Sequence, residues 1–141
     1  MPGNTFEFAE TPDGKTAVHC GTLHMLDEGD RNGSADLNVN PGFAAWVECN
    51  LSGRVPPGTT ALYGYLEIGL ADTTGTICIR DGAGAETNVY RTRTLRLTAL
   101  ANYMAGSPCI IKATNGIFDY IEESADTEIS TLKFILWGYF I

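Results

Sequence analysis

Basic side chains are scarce in this chain: nine lysines and arginines stand against seventeen aspartates and glutamates, for a formal net charge of −8. A negative field of that kind repels phosphate, which argues against a broad nucleic-acid or anionic-membrane surface. Histidine is almost missing, with His19 and His24 the only two, so a histidine-rich metal centre of the cupin kind lacks its ligands. No apolar run approaches the roughly 20 residues of a membrane-spanning helix. The opening stretch MPGNTFEFAETPDGK is polar and acidic where an export signal is basic and then apolar. The chain also lacks a G-x-S-x-G nucleophile elbow, a Cys-x-x-Cys pair and any segment of helical period. These absences point away from an enzyme, a bound cofactor, a resident metal, nucleic acid and membrane.

What remains is a chain of 141 residues, 44% of them hydrophobic, long enough for one domain that buries roughly two thirds of its unfolded surface. Residues 1–15 hold only Phe6 and Phe8 as large apolar groups and read as an N-terminal arm. Residues 16–141 read as a single domain. Four cysteines, Cys20, Cys49, Cys78 and Cys109, sit in apolar, strand-like contexts, where a free thiol behaves as a small hydrophobe. Reduced, buried thiols are expected.

Alternation sets the expected elements. A strand interrupted at Gly21 covers 16–26, and DEGDRNGSADLNVNP from Asp27 to Pro41 is turn chemistry throughout. Further strands are expected over 43–51, 60–70, 76–80, 87–100, 107–114 and 117–123, the last two forming a hairpin across Asn115-Gly116, a pair that favours a type I′ turn. Gly64 and Gly69 mark bulges or close backbone approach. The spacing predicts an all-β chain of about eight strands, an antiparallel, jelly-roll-like β-sandwich.

The last stretch, ISTLKFILWGYFI from Ile129 to Ile141, is amphipathic at its start and apolar on both faces at its end. Strict alternation places Leu132, Phe134, Leu136 and Phe140 on one face and Thr131, Lys133, Ile135, Trp137, Tyr139 and Ile141 on the other. One face suffices for the core of a single domain. Exposing Ile135, Trp137, Tyr139 and Ile141 would leave an apolar patch that monomers seldom carry, so a homo-oligomer interface is expected there.

Other candidates are weaker. His19, Cys20 and His24 suit a metal or the outer face of an edge strand. Glu28, Asp30, Asn32 and Asp36 suit calcium or a solvated turn. Asp119, Glu122 and Glu123 read as an acidic rim, because Asp119 and Glu122 point to opposite faces. Arg91 and Arg93 share a face while Arg96 takes the other, and these arginines suit pairing with carboxylates of a neighbouring subunit or gripping an external carboxylate or phosphate. Trp46, Tyr63 and Tyr65 on outer faces suit either stacking on sugar rings or a protein interface.

VPPGTTALYGYLEIGL from Val55, TICIRDG from Thr76, IIKATNGIFDYIEE from Ile110 and the ending FILWGYFI together resemble the small jelly-roll virion proteins of tailed bacteriophages, over about residues 43–141. The resemblance implies a capsid decoration, head-fibre or tail appendage protein. Such a protein is usually a homotrimer, sits in the virion after assembly in the host cytoplasm, and works through protein–protein contacts. Some members bind host glycans, which makes a carbohydrate-binding β-sandwich the competing expectation.

Overall fold

The computed structural model describes residues 4–5, 21–31, 34–41, 45–70, 75–82, 93–99, 104–123 and 129–141. The fold is an all-β sandwich. Its strands are β1 (Asn4–Thr5), β2 (Thr22–Met25), β3 (Leu37–Val39), β4 (Val47–Asn50), β5 (Ala61–Leu70), β6 (Gly75–Asp81), β7 (Arg93–Ala99), β8 (Met104–Lys112), β9 (Ile117–Glu122) and β10 (Ile129–Phe140). Among the described residues, one helical turn at Glu28–Arg31 and one 3-10 turn at Thr114–Gly116 complete the regular structure, and no helix is long and apolar enough to cross a membrane.

One sheet runs β1-β2-β10-β5-β8, with β3 pairing β10 beside β2, and the other runs β4-β9-β6-β7. All the pairings are antiparallel. Neighbours within a sheet are distant in sequence: β10 lies between β2 and β5, and β9 between β4 and β6. Of the consecutive strands from β4 onward, only β6 and β7 pair as a hairpin; the others cross from one sheet to the other. That is the double Greek key of a jelly roll, as the strand spacing predicted.

The core forms where inward residues of both sheets meet. Leu62, Leu66, Ile68, Ile111, Leu132, Phe134 and Leu136 come from the first sheet, and Cys49, Ile77, Ile79, Phe118 and Tyr120 from the second. Phe118 and Phe134 meet edge to face across the layers, centroids 5.7 Å apart, the preferred geometry for aromatic pairs.

Three expectations need correction. Residues 107–123 are not a hairpin. Asn115 and Gly116 do take positive φ angles, 55° and 80°, but β8 pairs β5 while β9 pairs β4 and β6. The Asn-Gly pair therefore turns the chain from one sheet into the other. The 27–41 stretch is not all loop, because Leu37 and Val39 straddle Asn38 in β3, pair with β10 and pack against the core. The arm is tied at Asn4–Thr5, which pairs with β2; Phe6 and Phe8 lie outside the described residues.

The third correction concerns β10. Its register against β5 slips between Leu136 and Gly138, a β-bulge at Trp137 that reverses the alternation. Beyond it Tyr139 turns inward, opposite Leu62 and packed against the core, and Phe140 takes the other face, opposite Ala61, where it is fully buried. Phe140 joins Leu23, Ala61 and Tyr63 in a second, smaller cluster. Phe140 is thus not part of the main core, and Tyr139 is not part of the outer face.

Candidate interaction face

The outer face of the first sheet is built by simple alternation on β5. With Leu62, Leu66 and Ile68 inside, Tyr63, Tyr65 and Glu67 must point out. The register then sets their neighbours: Ile110, Pro108 and Gly106 on β8, and Gly138, Ile135 and Lys133 on β10. The bulge delivers Trp137 to the middle of this face. Its ring lies 5.5 Å from that of Tyr63, edge-on, and 5.9 Å from that of Tyr65, tilted by 33°.

Glycine makes room for one of these rings. A Cβ on Gly106 would lie 2.7 Å from Tyr65 Cζ and closer still to its hydroxyl, so the tyrosine lies across β8 where the strand has no side chain. Beside the three half-buried rings stand Ile110 at 41% exposure and Met25 at 45%, while Met104, at 65%, lies beyond Glu67 at the Gly69 level. Few charges interrupt the patch: Glu67 and Lys133 are cross-strand neighbours at one end, and Lys112 lies opposite Ala61 at the other.

The expected interface and the expected sugar-stacking set are therefore redistributed. Ile135 and Trp137 belong to the patch, and Tyr63 and Tyr65 join them. Tyr139 instead stacks on His24, centroids 5.3 Å apart, which gives that histidine an aromatic partner. Ile141 sits at the strand end beside Gly58. Trp46 lies just before β4, against the other sheet. The Arg80 guanidinium carbon is 4.4 Å from its ring centroid, and its buried Nε1 has no hydrogen-bond partner. Arg91 lies outside the described residues, as do His19 and Cys20. Arg93 pairs in register with Arg80 on the second sheet, away from the patch.

The acidic candidates are committed to structure. Arg80 Nε donates to Asp119 Oδ2 at 2.9 Å, with both side chains about a tenth exposed. Glu122 is buried and accepts the Ile129 backbone N–H at 2.8 Å. These two are thus not a solvated rim, because each compensates a donor inside the fold. Asp36 accepts from Arg54 at 2.6 Å through one oxygen and from the Leu136 backbone N–H at 2.8 Å through the other, which removes it from any calcium set. Among the described residues, no group of three or more histidine, cysteine, aspartate or glutamate side chains converges as metal ligands would.

The thiols are inert by environment. Burial pushes Cys49 up to about 12, with the Asp36 and Glu48 charges adding to it. Burial likewise pushes Cys109 up to about 11 against a Leu66 backbone hydrogen bond that pulls the other way. Cys49 and Cys109 are free thiols, Cys49 buried and Cys109 partly buried; Cys78 is buried on β6, and Cys20 lies outside the described residues.

The Tyr63, Tyr65 and Trp137 cluster is the feature that sequence reasoning split in two. Both strands were legible, but their adjacency was not, because β5 and β10 meet only across the intervening sixty residues. Set against family profiles, curated proteins and solved structures, the chain matches none.

Proposed function

We propose that this chain is a structural component of a tailed-bacteriophage virion, a jelly roll that holds its place by protein–protein contact and performs no chemistry. The observation that carries the reading is the apolar outer face of the first sheet, where Tyr63, Tyr65 and Trp137 are flanked by Ile135, Ile110 and Met25. Solvent-facing aromatic and aliphatic groups of this extent favour burial against a partner. The commitment of Asp36, Asp119 and Glu122 to internal partners supports a role in contact over one in acid–base chemistry. The jelly-roll topology accords with the virion proteins that the strand motifs resemble, although fold alone assigns no function.

The test is incorporation. A tagged chain expressed in the phage-producing host should co-purify with particles through a density gradient, and the Trp137→Glu variant should be lost from them. Absence of the wild-type chain from purified particles overturns the reading.

The carbohydrate reading keeps one favourable observation, the contiguous Tyr63, Trp137 and Tyr65 rings. It loses Trp46 to the opposite sheet, and the tilted rings pack on one another where a sugar platform lays flat faces open. A glycan array on the purified protein separates the two readings.

A further inference from the structure

We infer that the outer face of the first sheet pairs with the same face of a second copy of this chain about a two-fold axis. This inference rests on the reading of that face as a protein-contact surface and names its partner.

Size supports it. Strands about 4.8 Å apart and residues about 3.4 Å apart make β10, β5 and β8, with β2 and β3 along the other edge of β10, a footprint on the order of 450 Å² from the level of Tyr63 to that of Gly69 before side-chain relief, the Ala61 end being already buried with Phe140 and Leu23. Specific contacts bury from about 600 Å² per partner upward, so with side-chain relief this face against another reaches the low end of that range.

Charge supports it too. Two chains of −8 each repel, yet among the described residues this face carries Glu67 against Lys133 and Lys112, so it is a face on which two copies approach at low cost. The placement of those charges then selects the symmetry. Lys112 pairs in register with Ala61, and Glu67 with Gly106. Gly64, opposite Leu136 at the bulge, lies midway between them, about 10 Å from each level.

A two-fold axis in the plane of the contact, crossing the strands at Gly64, exchanges the two ends. It sets Lys112 of one copy one strand away from Glu67 of the other, twice over, with Lys133 a strand further off. Trp137 and Tyr65 lie near the axis and meet their own counterparts, as an isologous interface requires. A three-fold arrangement, which the phage resemblance implied, joins two different surfaces and uses neither correspondence.

The experiment is mass by light scattering and sedimentation on the purified full chain at micromolar concentration. The expected result is twice the 15.2 kDa chain mass. Ile110→Glu, at an exposed site, and Trp137→Glu should yield folded monomers with cooperative melting. Lys112→Glu should weaken the dimer at least tenfold, and adding Glu67→Lys should restore it, a rescue that a merely structural role would not produce.

Wild-type protein at the mass of one chain, or of three, overturns the pairing. So does an Ile110→Glu protein that stays dimeric, or a charge reversal without rescue. The two proposals fail separately. A dimer absent from particles overturns the virion role and leaves the pairing standing, whereas a monomer found in particles does the reverse.

Discussion

At the scale of single residues, space and protonation are decided by a few atoms. A Cβ on Gly64 would meet Phe134 Cζ at 2.7 Å and the Ile135 carbonyl oxygen closer still, so the glycine is required by approach and not by φ. Gly64→Ala should cost roughly 1–3 kcal/mol through overpacking, seen as a lower urea midpoint. Gly69→Ala, whose nearest atoms stand 3.7 Å away, should stay within about 0.5 kcal/mol and serves as the control.

The thiols give a second prediction. With Cys49 raised to about 12 and Cys109 to about 11, native protein at pH 8 should react slowly with a thiol reagent and react fully once denatured. The linked effect on stability has a definite sign. An unfolded thiol ionises near its ordinary 9.0 while the folded ones stay neutral, so alkaline pH favours unfolding. Stability should be full below pH 9 and decline as pH rises through 11 to 12; thermal melts across that window check it, with Cys49→Ser and Cys109→Ser as comparisons.

At the scale of elements, the decisive object is the bulged centre of β10. One edge of β10 is paired by β3 at Leu132–Phe134 and by β2 at Gly138–Phe140, which leaves a gap between them. Two bonds close it: Leu26 N–H donates to the Trp137 carbonyl at 2.8 Å, and Leu136 N–H donates to Asp36. The Asp36 carboxylate thus occupies the place of a missing strand. Asp36→Ala should leave the Leu136 N–H without its acceptor, at roughly 1–3 kcal/mol, and speed hydrogen exchange of that amide. Asn, which keeps one acceptor oxygen, should recover part of the loss. An unchanged exchange rate in the Ala variant would show that the carboxylate does not hold the gap.

At the scale of the molecule, β10 pairs β5 along most of its length and β2 and β3 on its other edge, with partners as far apart as Leu23 and Phe140, 117 positions. A chain ending at residue 128 loses the strand on which the first sheet is assembled and should show no cooperative melt by circular dichroism. Pairing of such distant segments also implies refolding in milliseconds to seconds, measurable by stopped-flow tryptophan fluorescence.

What the sequence by itself determined were the properties that live within one pleat: strands over 60–70 and 129–141, the inward set Leu62, Leu66, Ile68, Leu132, Phe134 and Leu136, and positive φ at Asn115-Gly116. Each follows from neighbouring residues, through alternation or through backbone sterics. Only the tertiary structure decided who pairs with whom. The dihedrals of Asn115-Gly116 are local, whereas the sheet that β9 joins depends on where Phe118 and Tyr120 find a buried face. The inversion at Trp137 was hidden for a sharper reason. FILWGYFI is apolar in both phases, so a one-residue slip changes nothing in the pattern, and packing against Ala61, Leu62 and Leu23 selects the phase. The same slip gathers Trp137 with Tyr63 and Tyr65, and so creates the face on which the proposed assembly depends.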